Sequence, residues 1–291
     1  MKRKNDMNNL RIAFFGTPQI AVWVLEELEH SGIVPSLIVT NPDAPRGRKM
    51  LMTPSPVSEW AKAHGIQTIK PATLRDGEAL AALKDSQCEL FIVAAYGKII
   101  PEEILDIPKH KVINMHPSLL PKLRGASPIR SAILEDMNPT GVSIMVLTAG
   151  MDEGPLLAQE EVSIPEEEWP LRGAALDELL ARKGGALLAR ILPDWIGGSL
   201  VPTEQEHTLA TYSMKITKDM GLIDLTADPY KNLLKIRAFD GWPGTYFFYE
   251  KGEKSVRLKI VDAHIENGEL RITRIIPEGK KETTFADYLR S

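Results

Sequence analysis

Asn114 and His116 stand two residues apart in Val112-Ile-Asn-Met-His116, an apolar run with strand character that leads straight into Pro117-Ser-Leu-Leu-Pro121. Strand side chains alternate, so the two polar groups point to one side while Met115 points to the other. An amide beside a titratable imidazole suits chemistry at a carbonyl. The amide N–H can donate to a developing oxyanion, and the imidazole can carry a proton. A second polar loop, Gly150-Met-Asp152-Glu-Gly154, follows the next strand-like run and could bring a carboxylate to orient the imidazole. On these residues alone a plainer reading stays open, in which Asn114 ties down a strand end and Asp152 caps a turn.

The elements that must position these residues are legible as an alternation. Leu10–Phe15 is mostly apolar and is followed by Gly16-Thr-Pro18 and a helical pattern through Ile20, Val24, Leu25 and Leu28. Strand-like runs recur at 34–40, 89–95, 112–116 and 141–146, with a further one over 155–164. Helical candidates at 56–64, 76–84 and 125–135 lie between them. Such alternation predicts an α/β fold, a Rossmann-like and mostly parallel sheet with both faces covered. Open sheets of this kind bind ligands at the carboxyl ends of their strands, where Asn114 and His116 fall. A helical stretch over 170–196 closes the first domain, although Gly184-Gly185 argues against one unbroken helix.

Gly197-Gly-Ser199 opens a linker, and three parts result: a catalytic domain over 1–196, a linker over 197–206 and a β-rich domain over 207–291. From His207 onward there are 14 Lys and Arg against 12 Asp and Glu, whereas the whole chain carries −4, so the charge balance changes sign near the linker. Leu233, Leu234 and Ile236 suggest a helix, and β-rich runs at 245–249, 256–261 and 270–276 suggest a small OB-like β-barrel.

With 291 residues, 43% of them hydrophobic, the chain can fill one large core and a smaller second one. A pI near 5.9 excludes a surface that is basic throughout, although a local basic patch fits. The single cysteine, Cys88, allows no intrachain disulfide, and no Cys/His cluster has zinc spacing; a reducing compartment and no metal are expected. Met1-Lys-Arg-Lys looks like the start of a signal segment, but Asn5–Asn9 is polar and Gly16-Thr-Pro18 interrupts the apolar run. A cytoplasmic protein, with a frayed start and no membrane span, is the expectation. Gly16 lacks the rest of a Gly-x-Gly-x-x-Gly pattern, which removes support for a dinucleotide.

The ordered set Asn114-x-His-x-Ser-Leu-Leu-Pro121, Arg124-Gly-Ala-Ser-Pro-Ile129, Thr140-Gly-Val142 and Gly150-Met-Asp-Glu-Gly154 resembles the folate-dependent formyltransferases. Phe15-Gly-Thr-Pro18, Asn41-Pro-Asp-Ala-Pro45, Pro54-Ser-Pro-Val57, Ala95-Tyr-Gly97 and Arg237-Ala-Phe239 through Trp242-Pro243 extend the likeness over nearly the whole chain. The resemblance implies that Asn114, His116 and Asp152 are a catalytic trio. It implies 10-formyltetrahydrofolate as cosubstrate and initiator methionyl-tRNA as acceptor, formylated on its α-amino group. His116 would then either donate to the oxyanion when protonated or shuttle a proton when neutral.

By the same resemblance Ser118, Leu119, Leu120 and Pro121 line a folate site together with Ala95, Tyr96 and Gly97. The basic loop with Arg46, Arg48 and Lys49 would meet the tRNA acceptor stem, and the C-terminal domain would also bind tRNA. The loop departs from the family by continuing Lys49-Met-Leu-Met52 in place of further glycine and lysine. Two other readings remain: a formyltransferase acting on a nucleotide-linked amino sugar, and a non-catalytic tRNA-binding protein on the same scaffold. Nothing in the sequence signals an oligomer, and a monomer is expected.

Overall fold

The protein is described by a computed structural model over residues 10–47 and 50–290. The start at residues 1–9, and Arg48 and Lys49 of the basic loop, therefore lie outside the described residues. Contacts divide the chain into two compact units. The first takes in the chain through Ala126 together with Thr140–Val162 and Glu178–Tyr212, and the second Ser127–Pro139, Ser163–Asp177 and the chain from Ser213.

The chain opens with β1 (Ile12–Phe15), α1 (Gln19–His30), β2 (Leu37–Val39) and a short hairpin of β3 (Ala44–Arg46) and β4 (Leu51–Thr53). Then come α2 (Pro56–Ala63), β5 (Gln67–Ile69), α3 (Gly77–Asp85), β6 (Leu90–Val93), α4 (Glu102–Leu105) and β7 (Val112–His116). They are followed by β8 (Arg124–Gly125), α5 (Pro128–Leu134), β9 (Thr140–Val146), β10 (Leu156–Val162) and α6 (Gly173–Ile196). The C-terminal part holds β11 (Tyr212–Ser213), α7 (Pro229–Ala238), β12 (Thr245–Lys251), β13 (Lys254–Glu266), β14 (Glu269–Pro277), β15 (Thr283–Thr284) and α8 (Phe285–Arg290).

Local chemistry starts the helices where the pattern expected them. Ser55 accepts from Ser58 N at 3.0 Å ahead of α2, and Asp76 accepts from Ala79 N at 2.7 Å ahead of α3. Each such cap is worth about 1 kcal/mol. β1 and β6 are buried at every position, as strands covered on both faces must be.

The seven-stranded sheet of the first unit has the order β10-β9-β7-β6-β1-β2-β5. From β7 to β5 all neighbours are parallel, whereas β9 runs antiparallel to β7 and β10 antiparallel to β9. The sheet is thus mostly parallel, with an antiparallel edge. From β1 the chain builds outward through β2 on one side and returns to β6 on the other, so the sheet's switch point lies between β1 and β6.

α6 is one continuous helix. Its two glycines, which in sequence argued for a break, instead permit close packing. A Cβ on Gly184 would stand 2.6 Å from Met115 Cγ, and one on Gly185 would stand 2.7 Å from Glu27 Cβ and 3.0 Å from Val24 O. Met115, the residue between Asn114 and His116, therefore anchors the site strand by packing on the helix behind it, and it is 2% exposed. The tertiary fit outweighs a glycine pair's poor helix propensity.

In the second unit the β-rich runs that suggested a small OB-like β-barrel form an antiparallel sheet of order β12-β13-β14-β15. Tyr246 at its β12 side also makes a parallel bridge with Leu222. Its core gathers Ile236, Phe247, Leu258, Ile260 and Ile275. Arg172 contributes an ion pair to Asp262 and another to Asp240 at 3.5 Å.

Candidate active site

β7 ends at His116, and its register places Asn114 beside Val93 of β6 on one flank and Met145 of β9 on the other. Asn114 is 8% exposed. Among the described residues its side-chain amide makes no hydrogen bond, which for a nearly buried amide is costly unless a ligand completes it. His116 is more deeply buried. Its Nε2 lies 2.9 Å from Leu123 O, and because a carbonyl only accepts, Nε2 must carry the hydrogen. In the neutral imidazole the lone pair is consequently on Nδ1.

Nδ1 faces the Asp152 carboxylate at 3.8 Å, beyond hydrogen-bond reach but close enough for charge to act. Burial pushes the His116 pKa down, against the upward pulls of Asp152 and of the Leu123 carbonyl, with burial the stronger. Burial thus favours the neutral imidazole, whose basic nitrogen is turned toward a carboxylate. Asp152 itself is fixed in a left-handed backbone conformation, φ +49°. Its Oδ2 accepts from Gly125 N at 2.7 Å.

The segment after the strand is tied to β9 and β10. Ser143 Oγ donates to Ser118 O at 2.6 Å and accepts from Leu120 N at 3.0 Å, and Gln159 Nε2 reaches Leu120 O at 2.8 Å. The peptide before Pro121 is cis. Ser118 Oγ donates to Lys122 O at 2.6 Å. Leu120 is buried, and Leu119 lies over Gly141, where even a Cβ would come within 2.6 Å of Leu119 Cδ2. Both leucines are thus engaged in packing within the first unit.

Ala95, Tyr96 and Gly97 follow β6 on the neighbouring strand end. Ala95 and Gly97 are exposed and both have positive φ, at +49° and +80°. Tyr96 is buried with its ring edge-on to Phe15 at 5.5 Å, and burial pushes its hydroxyl up to about 12. Among the described residues that hydroxyl has no partner, while the Tyr96 carbonyl accepts from Asn41 Nδ2 at 3.2 Å and Thr17 Oγ1 at 3.3 Å. The backbone of this turn, rather than the Tyr96 ring, is what the strand end presents.

The structure thus brings Asn114, His116 and Asp152 together at strand ends beside 95–97 and 118–121. Arg46 ends β3, in a hairpin where Leu51 and Met52 are 64% and 65% exposed. The sequence reading missed the supports. Arg124 opens Arg124-Gly-Ala-Ser-Pro-Ile129 without an expected role of its own, Gln205 falls in the stretch expected to be a linker, and Thr211 lies just after it. A lone glutamine has no periodicity to give it away.

An open, mostly parallel sheet that gathers an unpartnered amide, a buried imidazole and a carboxylate close together has the arrangement of an α/β enzyme site. Residues 10–172 match the formyl transferase family model, and residues 215–269 match that of the formyl transferase C-terminal domain. The chain is 39% identical over 300 residues to a methionyl-tRNA formyltransferase of Thermus thermophilus, with 97% of this chain and 96% of the relative covered. It belongs to the formyl transferase family.

Among solved structures, a methionyl-tRNA formyltransferase from Clostridium thermocellum aligns at a TM-score of 0.59 with 17% identity, covering 92% of this chain and 98% of that one. An N-formyltransferase from Helicobacter canadensis, in complex with folinic acid and dTDP-3-aminofucose, aligns at 0.60 with 19% identity over 86% and 95%. One is named for a tRNA substrate and the other is bound to a nucleotide-linked amino sugar, so the fold alone does not choose an acceptor.

Proposed function

We propose that the chain transfers the formyl group of 10-formyltetrahydrofolate to the α-amino group of initiator methionyl-tRNA, giving N-formylmethionyl-tRNA. The observation that carries the chemistry is the pairing of an unpartnered Asn114 amide with a neutral His116 whose Nδ1 is basic. The acceptor is carried by the 39% identity to the Thermus thermophilus relative, which extends through both matched regions of the chain. The cosubstrate supplies the formyl group.

Asn114 donates its N–H to the oxyanion that forms on the formyl oxygen as the amine attacks. His116 takes a proton from the attacking amine on Nδ1 and returns one to the departing folate nitrogen, so the imidazole ends as it began. Asp152 stabilises the imidazolium that exists between these transfers. Exposed backbone of Ala95 and Gly97 and the segment Ser118, Leu119, Leu120 and Pro121 would line the folate side, with backbone groups reading the pterin edge because the leucine side chains are occupied in packing. No metal takes part in this reading. A group of metal-ligating side chains is absent among the described residues.

Arg46, Arg48 and Lys49 would meet the acceptor stem, and the C-terminal domain, residues 207–291, would also bind tRNA, after a catalytic domain over 1–196 and a linker over 197–206. A cytoplasmic monomer is part of the proposal. No helix among the described residues is long and apolar enough to cross a membrane. The test is a comparison of kcat/KM for formylation of charged initiator tRNA, charged elongator tRNA and a nucleotide-linked amino sugar. Preference for the initiator supports the reading, and preference for the sugar replaces the acceptor while leaving the chemistry.

A further inference from the structure

The segment Gln205–Thr211 reaches the trio's supports from behind. Gln205 Oε1 lies 3.2 Å from Arg124 Nε and 2.7 Å from an Arg124 terminal nitrogen. A guanidinium only donates, so the amide orientation is settled: oxygen toward Arg124, nitrogen away from it. Gln205 Nε2 then donates to Asp152 O at 2.9 Å and to Gly154 O at 2.7 Å. Both lone pairs and both hydrogens of the amide are used. Gln205 is 4% exposed and Arg124 is 2% exposed, so neither group exchanges these partners for water at low cost.

Farther along, Thr211 Oγ1 accepts from Leu123 N at 2.9 Å and Thr211 O accepts from Arg124 N at 2.9 Å. His207 Nδ1 lies 3.1 Å from the same Arg124 guanidinium. The residues so held are the ones that hold the trio. Leu123 O fixes the His116 ring, Gly125 N fixes the Asp152 carboxylate, and Gln205 fixes the Asp152 backbone in its left-handed turn.

We propose that Gln205–Thr211 is a positioning strap for the catalytic trio, with Gln205 acting through Asp152 and Thr211 through Leu123, so that this stretch belongs to the catalytic apparatus rather than to a passive linker. The inference rests on the functional reading above and extends it. Glutamine is required because only an amide offers an acceptor to Arg124 and two donors to the carbonyls. Glutamate keeps the size and the Arg124 contact but turns an oxygen on Asp152 O and Gly154 O. Displacement of a catalytic group by about 1 Å can cost on the order of 100-fold in rate.

The test is a double-mutant cycle of Gln205→Glu with Asp152→Asn, reading kcat and KM for each substrate after the thermal unfolding midpoint has shown each variant to be folded. Gln205→Glu is expected to lower kcat by about 10- to 100-fold with KM for the folate nearly unchanged. In the Asp152→Asn background the same change should cost less than about threefold, because the two act on one group. Full multiplication of the two losses, or a wild-type kcat for Gln205→Glu, overturns the strap. A wild-type rate for Asp152→Asn alone would instead overturn the functional reading on which it rests. Should Gln205→Glu not fold, Thr211→Val reads the other end: a several-fold loss in kcat is expected, and an undiminished kcat overturns the proposal.

Discussion

Replacing Asn114 by alanine separates its proposed role in the reaction from any role in the fold. The side-chain amide makes no hydrogen bond within the described residues, and the strand is held by its backbone ladder to β6 and β9 and by Met115 packed on α6. Truncation therefore leaves no protein group without a partner, and stability should change by about 1 kcal/mol or less, a Tm shift of about 2–4 °C at most. The activity should respond quite differently. Loss of one preorganised oxyanion donor in a site sheltered from water costs about 10²- to 10³-fold in kcat, equivalent to about 2.7–4 kcal/mol of transition-state stabilisation. Asn114→Asp sharpens the contrast, because an ionised carboxylate of the same size accepts but cannot donate, and it should be at least as impaired. The assay is single-turnover formyl transfer at saturating substrates, run beside thermal unfolding of the same preparations. An Asn114→Ala protein within about threefold of the wild-type rate would refute the oxyanion assignment.

Four further outcomes follow from the same geometry. Burial holds the His116 pKa below its ordinary value of about 6.5, so the acid limb of the kcat profile should have its midpoint under that pH; a midpoint above 7 would contradict a neutral catalytic imidazole. The stability contribution has the matching sign: it is present above about pH 6.5 and is lost as the pH falls from there through the folded value, since the unfolded chain takes up the proton first, which urea titrations at several pH values would measure. Gly184→Ala should lower stability by about 1–3 kcal/mol through overpacking on Met115, whereas helix propensity alone would raise it by about 1 kcal/mol, so the sign of the Tm change decides between them. Ser143→Ala removes a hydroxyl that serves Ser118 O, Leu120 N and Gln159 Nε2, and it should raise KM for the folate more than it lowers kcat; an unchanged KM would separate the 118–121 segment from folate binding.

What could be read in advance was whatever repeats locally. The alternation at Asn114, Met115 and His116 placed two polar groups on one side of a strand, and the buried runs of β1 and β6 announced a covered sheet. β5, Gln67-Thr-Ile69, escaped because it is a short edge strand without an apolar run, and the β3–β4 hairpin because prolines mask its pairing. That β9 runs antiparallel leaves no trace in its hydrophobic pattern, since direction is a property of the connection. The continuity of α6 depends on Met115, nearly seventy residues earlier, and the positioning of Asp152 depends on Gln205, over fifty residues later. Contacts of this range are invisible to spacing. The net direction of the His116 pKa was equally out of reach, because Asp152 alone would have pulled it upward and only the burial reverses the sign.

In the proposed reaction the acceptor and the trio act together. Its most direct test is mass-spectrometric detection of N-formylmethionine released from initiator tRNA after incubation with 10-formyltetrahydrofolate and the purified protein, side by side with Asn114→Ala. N-formylmethionine is expected in amounts set by the charged tRNA, with a rate about 10²- to 10³-fold lower for the variant. No N-formylmethionine from the folded wild-type protein, or equal rates for the two proteins, would contradict it.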